Sequence, residues 1–257
     1  HSPVSVEQLR NTITSNTKLI AITHMPTSSG TIAPVKKIGQ IAKDNDILYM
    51  LDTCQSIGHY PTFVDVVQCD FLNGTSRKYL RGPRGLGFLY ARKSVYKKLD
   101  PYMLEAMGAT WNGRTSYDLN YTSKMFECFE KPIGYMMGFK AAIKYANELG
   151  IENIWTRINE LSTYARNRWL EIDGVTIHDG SGLEKSGIIT LTLNNKTPQE
   201  VQRILSSEKI NSSLCKPLTS YTDMKNKGLE SSNRLSIHYY NTKEEIERVA
   251  DILQNIR

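Results

Sequence analysis

The 257-residue sequence predicts an α/β fold, with a mainly parallel sheet in its first half and a smaller α/β domain in its second half. In the first half, short apolar runs of strand type alternate with helical spacing, a pattern typical of parallel sheets covered by helices. From residue 132 onwards, long helical stretches come first and short strands follow. We therefore place a domain boundary near residue 131, between a large domain (1–131) and a small domain (132–257).

The first half contains one helical stretch and several runs of strand type. PVKKIGQIAKDN (34–45) places Val35, Ile38 and Ile41 on one face of a helix. The four predicted strands are KLIAITH (18–24), ILYMLD (47–52), DFLNGT (70–75) and GFLYAR (87–92). A doubly wound sheet with a ligand pocket usually has more strands than this. We therefore expect that the amino-terminal part of the large domain is missing from the chain.

The second half begins with a predicted helix, PIGYMMGFKAAIKYANELG (132–150), which has Pro at its start and Gly at its end. A second helix follows over 151–171. The terminal TKEEIERVADILQNI (242–256) has acids in its first turn and apolar residues at helical spacing, which predicts a covering helix. The short strands predicted between these helices lie near VTIHDG, GIITLTL, KINSSL and RLSIHYY.

Composition limits the class of protein. The net charge is +6, and the lysines and arginines are scattered rather than gathered into one basic tract. A small anionic ligand explains the basic residues in 77–84 as well as nucleic acid does. The four cysteines form no C-x-x-C pair, so we predict neither a zinc site nor disulfides, and we expect a reduced, cytoplasmic setting. No apolar run approaches the roughly 20 residues that span a bilayer, and the amino terminus lacks the features of a signal peptide.

Residues with carboxylate, hydroxyl, amine or guanidinium side chains lie at or just after the ends of the predicted strands that end at 52 and 75. In parallel sheets, ligands bind beyond the carboxyl ends of the strands. A pyridoxal phosphate site needs a lysine for the Schiff base, a carboxylate at the pyridine nitrogen and donors for the phosphate. Lys78 supplies the amine and Asp52 the carboxylate, while Thr75 and Arg77 supply the donors. We expect Arg77 both to neutralise a phosphate and to lower the pKa of the neighbouring Lys78 amine.

Four segments, taken in order, resemble a known family. They are AITHMPTSSGTIAPV (21–35), LDTCQSIGH (51–59), GTSRKYLRGPRGLGFLYAR (74–92) and RLSIHYYNTKEEIERV (234–249). The set resembles the class V aminotransferases, fold-type I pyridoxal phosphate enzymes that include cysteine desulfurases, over essentially the whole chain. The resemblance implies that 1–131 is the remainder of a fold-type I large domain. It also implies a homodimer in which 108–123 reaches across to the other subunit's active site.

The resemblance implies a role for each matching residue. Lys78 is the lysine that forms the Schiff base, and Asp52 is the partner of the pyridinium nitrogen. Gln55 hydrogen-bonds the ring oxygen of the cofactor, and Thr75 and Arg77 contact its phosphate. The Arg77 position is often His in desulfurases, so the phosphate site is expected to differ slightly here.

Three further positions follow from the same resemblance. His24 and Thr27 lie on the cofactor side, in the loop after the first strand, and desulfurases usually have Asn at the Thr27 position. Arg234 matches the arginine that binds the substrate carboxylate, a task that suits a bidentate guanidinium. Cys215 does not match the mobile-loop cysteine that takes up sulfur in desulfurases, which argues against a persulfide role.

Two motifs indicate which activities within the family are expected. KMFECFEKP and RKYLRGPRG resemble the branch with isopenicillin N epimerase-like enzymes and ergothioneine-pathway sulfoxide lyases. We therefore expect an enzyme that acts on an amino acid through an external aldimine, with carbon–sulfur cleavage of lyase or desulfurase type favoured. Aminotransferase and epimerase activities are the alternatives within the family. Outside it, a cofactor-free relative would act as a binding protein, and a nucleic-acid binder would use 77–84.

Some residues also have purely structural explanations. Arg81 and Arg84 are equally well explained as solvated loop charges or as partners of acids in another subunit. His238 lies on a segment of strand type and is expected to be structural. Trp155 and Trp169, on the predicted helix over 151–171, are expected in the core or at an interface.

Overall fold

The first sheet contains the strands β1 Leu19–Thr23, β2 Leu48–Asp52, β3 Phe71–Thr75 and β4 Gly87–Ala91. They come from a computed structural model that describes residues 4–180 and 184–257. The spatial order is β1–β2–β3–β4. The first three strands are parallel, and β4 is antiparallel to β3. The α/β class and the mainly parallel sheet of the first half are therefore confirmed.

The helices of this first part are α1 Val6–Thr12, α2 Val35–Asp44 and α3 Val64–Val67. As predicted, α2 buries the face that carries Val35, Ile38 and Ile41. Ile38 belongs to one apolar core with Tyr49 and Leu51 of β2. Burial of each such side chain stabilises the fold by roughly 1.5–3 kcal/mol, which fixes α2 on one face of the sheet.

A hairpin and a long helix follow the first sheet. The strands β5 Ala109–Trp111 and β6 Tyr117–Leu119 pair antiparallel, and short 3₁₀ helices flank them at Lys93–Lys98 and Ser123–Phe126. Helix α4, Ile133–Leu149, lies between Pro132 and Gly150 as predicted. No residue of α4 is buried, and Tyr135 and Met137 are among its exposed apolar residues. This part of the molecule therefore presents an apolar surface, a feature that often marks an interaction site.

The second sheet contains β7 Val175–Ile177, β8 Ile188–Leu193, β9 Ser213–Cys215 and β10 Ser232–Ser236, all antiparallel in the order β7–β8–β10–β9. Two predicted strands are shorter than expected. The strand in RLSIHYY ends at Ser236, because a turn follows in which the His238 N–H donates to Oδ1 of Asn241 (2.7 Å). The strand in KINSSL begins only at Ser213, because the Ile210 N–H bonds back to the preceding helix.

The helices of the second part are α5 Ile151–Leu170, α6 Pro198–Ser207, α7 Pro217–Asn226 and α8 Lys243–Ile256. The predictions of α5 and α8 are confirmed, whereas α6 and α7 were not predicted. Ile246 and Leu253 of α8 share a core with Leu191 of β8 and with Trp169. Trp169 is fully buried and donates from Nε1 to the Ile246 carbonyl (3.2 Å), so this tryptophan is a core residue, as expected.

Polar contacts join the two sheets. The Ser186 N–H donates to the Gly30 carbonyl (2.8 Å), and the Gly187 N–H donates to Nε2 of His59 (2.9 Å). The loops that leave the first sheet are therefore held by the residues that immediately precede β8. The domain boundary near residue 131 stays a prediction. Over 4–180 and 184–257, none of the helices has the length and apolar character needed to cross a bilayer.

Candidate active site

The carboxyl ends of β1, β2 and β3 lie side by side because of the register of the parallel strands. Asp52, the last residue of β2, is opposite Thr23 of β1 and Asn73 of β3. Beyond the strands, the His24 N–H donates to the Asp52 carbonyl and the Thr53 N–H to the Asn73 carbonyl, each at 2.9 Å. The polar residues that follow these strands therefore meet at one edge of the sheet.

One oxygen of the Asp52 carboxylate is held by the protein. Oδ1 accepts the Cys54 N–H at 2.9 Å and Nδ2 of Asn73 at 3.4 Å. Burial raises the pKa of the Cys54 thiol, and a hydrogen bond between this thiol and the Asp52 carboxylate raises it further. Asn73 was not among the predicted site residues, although an amide inside the predicted strand DFLNGT, directly after Phe71 and Leu72, was a usable signal.

Lys78 follows β3 and is half-buried. Burial is the largest cause that lowers the pKa of its amine, and the positive charges of Arg77 and Arg234 lower it further. Cys54 and Asp52 act in the opposite direction. The expected effect of Arg77 on the Lys78 pKa is present, but removal of the amine from water contributes more.

Thr75 and Arg77 flank a tight turn at the end of β3. The Thr75 hydroxyl donates to the Leu86 carbonyl (3.3 Å). Arg77 is exposed and makes no hydrogen bond or ion pair with the residues that the structure describes. Its guanidinium therefore remains available to an anion at the strand end.

Gln55, Thr27 and Arg234 form a continuous hydrogen-bonded chain across the two sheets. Nε2 of Gln55 donates to the Thr27 hydroxyl at 2.9 Å. Nη1 of Arg234, from β10, donates to the same hydroxyl at 2.6 Å and to the Thr27 carbonyl at 3.1 Å. Nε of Arg234 is buried and has no partner within 4–180 and 184–257. The loop after β1 thus joins the arginine of the second sheet to the residues that follow β2.

His24 is the first residue after β1. Its ring is almost completely buried, contacts the Tyr60 ring edge-on and has Nδ1 at 2.9 Å from the Ser56 hydroxyl. Burial lowers the pKa of His24 to about 4, so the imidazole is neutral at pH 7. Nε2 is a buried nitrogen without a hydrogen-bond partner among the described residues. The ring is not hydrogen-bonded to the other predicted site residues, and His24 joins them through its backbone.

Next to Gln55, the aromatic rings of His59, Tyr79 and His238 pack against one another. The His59 and Tyr79 ring centroids are 3.9 Å apart, and those of Tyr79 and His238 are 5.0 Å apart. Nε2 of His59 accepts the Gly187 N–H, so Nδ1 carries the proton and donates to the Gln55 carbonyl (3.3 Å). Burial lowers the pKa of His59 to about 3 and that of His238 to about 4. Both rings are therefore neutral structural groups, as expected for His238.

Arg81 has a different environment from either of those expected. Its guanidinium lies 5.1–5.9 Å from the ring centroids of Tyr145, Tyr239 and Tyr240 and donates to the Tyr239 hydroxyl (2.8 Å). These cation–π contacts fasten the loop after Lys78 to α4 and to the turn after β10. The tyrosines near the end of RLSIHYY therefore support the lysine loop.

The cysteines near the site are thiols. Cys215, at the end of β9, is only 3% exposed, and burial raises the pKa of its thiol. Cys54 is half-buried beside Asp52, and burial likewise raises its pKa. A raised pKa disfavours the nucleophilic thiolate at both positions.

A comparison with protein families agrees with this architecture. The family model described as Aminotransferase class-V matches residues 2–249. The chain belongs to the class V aminotransferase family, which confirms the resemblance of the four sequence segments.

Individual relatives are cysteine desulfurases. A probable cysteine desulfurase of Methanothermobacter thermautotrophicus is 31% identical over 255 residues, which cover 97% of this chain and 63% of the relative. A cysteine desulfurase of Haloferax volcanii is 26% identical, over 99% of this chain and 59% of the relative. The chain thus spans about three fifths of the length of these proteins.

Solved structures show the same fold. The apo cysteine desulfurase of Thermococcus onnurineus NA1 superposes with a TM-score of 0.92 at 25% identity, over 99% of this chain and 63% of that one. A cystine C–S lyase, solved with cysteine persulfide, superposes with a TM-score of 0.84 at 19% identity, over 97% and 64% of the two chains. The second likeness is one of fold alone, and together they confirm the fold-type I architecture.

Proposed function

We propose that this protein is a pyridoxal phosphate-dependent enzyme that acts on an amino acid and breaks a carbon–sulfur bond, in a lyase or desulfurase-like reaction. One observation carries the proposal. The hydrogen-bonded chain from Gln55 through Thr27 to Arg234 lies at the same strand ends as Asp52 and Lys78. The names of the relatives, which are cysteine desulfurases, support cysteine or a related sulfur amino acid as the substrate.

The residues present fit the cofactor. The Asp52 carboxylate, whose Oδ1 is oriented by the Cys54 N–H, is suited to a pyridinium N–H, while Gln55 is suited to the ring oxygen. Arg77 is an unpaired exposed cation among the described residues, and with Thr75 it suits the phosphate. When bound, pyridoxal phosphate supplies an electron sink for negative charge at the α carbon of an amino acid.

Lys78 supplies the covalent attachment and the proton transfer. Because burial and the charge of Arg77 lower its pKa, a larger fraction of the amine is neutral at pH 7 than in a solvated lysine. A neutral amine is the form that attacks a carbonyl carbon and that accepts a proton. We propose that Lys78 removes the proton from the α carbon of the substrate.

Arg234 orients the substrate. A guanidinium binds a carboxylate through two parallel N–H bonds, and these are stronger than bonds between neutral groups. Nη1 is already oriented by Thr27, and the buried Nε lacks a partner among the described residues.

Cys215 has no part in this proposal. The thiol is buried and its pKa is raised, so it is a poor acceptor for sulfur from the substrate. We propose that sulfur leaves the site without a persulfide on this residue.

The proposal is tested by product analysis of the purified protein with pyridoxal phosphate and L-cysteine or L-cystine. The expected result is release of sulfide or persulfide that is lost in Lys78→Ala and unchanged in Lys93→Ala, an exposed lysine of the first 3₁₀ helix. Formation of only a keto acid and an aminated acceptor would refute the lyase in favour of an aminotransferase. Inversion of the α carbon without sulfur release would instead identify an epimerase.

We also propose a homodimer. Trp111 and Tyr117 of the β5–β6 hairpin are exposed, Trp111 by 73%, and their rings pack edge-on with centroids 6.3 Å apart. This hairpin lies within 108–123, and the apolar residues of α4 extend the exposed surface. Sedimentation equilibrium of the purified protein is expected to give twice the monomer mass, and a monomer at all concentrations would contradict the proposal.

A small-molecule substrate and a reduced, cytoplasmic setting complete the proposal. The four cysteines are all free thiols, which supports a reduced compartment. Neither nucleic acid nor a membrane is proposed as a partner.

A further inference from the structure

A buried ion pair connects α5 to the segment between β7 and β8 of the second sheet. Nε of Arg166 donates to Oδ2 of Asp179 at 2.7 Å, and the two side chains are 10% and 3% exposed. Nη2 of Arg166 donates to the carbonyls of Ser186 (2.7 Å) and Ile188 (2.9 Å). The charges are thus fully supplied with hydrogen-bond partners, which a buried pair requires.

The second oxygen of the Asp179 carboxylate reaches a different part of the fold. Oδ1 accepts the N–H of Thr190 (3.0 Å) and its hydroxyl (3.1 Å) in β8. The same oxygen accepts the N–H of Gly30, at 3.2 Å, from the loop after β1. One carboxylate therefore joins α5, β8 and the loop that carries Thr27.

Gly30 is held through its N–H, its carbonyl and its α carbon. Its carbonyl accepts the Ser186 N–H (2.8 Å), and its α carbon packs against the ion pair. A Cβ added at Gly30 would lie 2.5 Å from Nη2 of Arg166 and 2.7 Å from the Ile188 carbonyl. The second contact is with backbone, so the strand itself would have to move, and the close approach requires glycine.

We propose that Arg166 and Asp179 are positioning residues for the substrate carboxylate. They fix Gly30, and Gly30 fixes the loop in which Thr27 holds Nη1 of Arg234. The inference rests on the proposed function, because it assigns to this loop the geometry of the amino-acid site. It goes beyond that function by placing part of the binding specificity in residues that never touch the substrate.

A stability role alone does not account for the arrangement. A buried ion pair is often no more stabilising than apolar residues of similar volume. Apolar residues, however, could not accept a hydrogen bond from the Gly30 N–H, as the Asp179 carboxylate does. Thr27 lies three residues from Gly30, so loss of the acceptor is transmitted over a short stretch of backbone. With pyridoxal phosphate at saturation, the effect is expected mainly in substrate binding, because Asp52 ends β2 and Lys78 follows β3, whereas Arg234 is held by Thr27 itself.

Steady-state kinetics with L-cysteine test the proposal in two variants. Asp179→Asn replaces one oxygen by an NH₂ that faces Arg166 or the Gly30 N–H, and Gly30→Ala inserts a methyl group between the loop and the pair. Each is expected to raise KM about tenfold, with kcat close to wild type, because the loop that orients the Arg234 guanidinium loses part of its support. An unchanged KM in both variants would overturn the proposal.

Two matched controls separate positioning from stability. Glu247→Gln removes the carboxylate that accepts from Nε of Arg168 (2.8 Å), an arginine on the same helix that does not contact the loop. Gly134→Ala adds a methyl group with no neighbour within 4 Å. Both controls are expected to keep the wild-type KM. If Glu247→Gln raises KM as much as Asp179→Asn does, the pair is a stability element and the proposal fails.

Hydrogen exchange provides a readout that does not depend on activity. In cofactor-free protein, amides of 24–33 are expected to exchange faster in Asp179→Asn and Gly30→Ala than in wild type or Glu247→Gln. Unchanged exchange in both variants would overturn the positioning role. A wild-type protein that releases no sulfur would refute the proposed function, whereas the exchange rates would still decide whether the pair holds the loop.

Discussion

Nη1 of Arg234 donates a hydrogen bond of 2.6 Å to the hydroxyl oxygen of Thr27, a residue 207 positions earlier in the sequence. The same hydroxyl accepts Nε2 of Gln55 at 2.9 Å. One side chain of the loop after β1 therefore orients both the guanidinium proposed to bind the substrate and the amide proposed to bind the cofactor. In the candidate site, the Thr27 hydroxyl thus connects Gln55 of the first half of the chain with Arg234 of the second half.

Replacement of this hydroxyl is expected to weaken substrate binding. Thr27→Val keeps the shape of the side chain but removes the acceptor, and loss of a hydrogen bond to a charged group costs about 1.5–3 kcal/mol. Steady-state kinetics with L-cysteine should show KM raised at least about tenfold. Thr27→Ser, which keeps the hydroxyl, should remain near wild type. Equal KM values for the two variants would contradict the role of the hydroxyl.

Removal of Arg77 is expected to weaken cofactor binding. The guanidinium is exposed and unpaired within the described residues, so its truncation leaves no buried partner behind. A lost charged hydrogen bond to phosphate predicts a Kd for pyridoxal phosphate that is about tenfold higher in Arg77→Ala, measured by absorbance titration. Arg84→Ala removes another exposed arginine of the same loop and should leave Kd unchanged. A similar loss in both variants would indicate a general electrostatic effect instead.

The contacts of Arg81 with three tyrosine rings are expected to stabilise the folded state. Arg81→Ala removes these contacts and the hydrogen bond to Tyr239, which predicts a loss of about 1–2 kcal/mol in the free energy of unfolding. Denaturant unfolding measures this quantity. Arg84→Ala again serves as the control, with a change within about 0.5 kcal/mol. No difference between the two variants would show that the rings contribute nothing to stability.

The buried histidines predict that stability falls at acid pH. His24, His59 and His238 have folded-state pKa values of about 4, 3 and 4, below the value of 6.5 in the unfolded chain. Below about pH 6.5 the unfolded state therefore binds more protons, and the free energy of unfolding decreases as pH falls toward the folded-state values. Denaturant unfolding at about pH 7 and about pH 5 should show the loss.

His59→Gln isolates one of these groups. Without the ring, the decrease in unfolding free energy between about pH 7 and about pH 5 should be smaller by about 2 kcal/mol, the contribution of one histidine held neutral. Parallel curves for the wild type and the variant would mean that His59 takes up its proton in the folded state.

The sequence alone was sufficient to predict the helices and strands that have a clear local pattern, and to predict which residues lie at strand ends. The strands of the first sheet were predicted from short apolar runs, and α2 and α8 from apolar residues at helical spacing. Helix α4 was predicted from the Pro at its start and the Gly at its end, and α5 was predicted as the helix that follows it. Asp52 and Lys78 could be assigned to one edge because parallel strands share a direction. Helix α6 was missed, although Thr197 and Glu200 form a capping box that the sequence displays.

Contacts between distant residues could not be predicted. Arg166 lies within an amphipathic helix, and nothing in its local sequence distinguishes it from Arg157, which is only half-buried. The pairing of Arg166 with Asp179 depends on how α5 packs against the second sheet. The three-tyrosine environment of Arg81 likewise depends on a turn after β10 that the sequence pattern extended as strand.

The visible absorbance spectrum of the purified protein with pyridoxal phosphate, recorded beside Lys78→Ala, tests the central claim most directly. Covalent attachment to Lys78 predicts a yellow absorbance band in the wild type that is absent from Lys78→Ala and retained in Lys93→Ala. No band in the wild type, or the same band in Lys78→Ala, would contradict the assignment of Lys78 as the lysine of a pyridoxal phosphate enzyme.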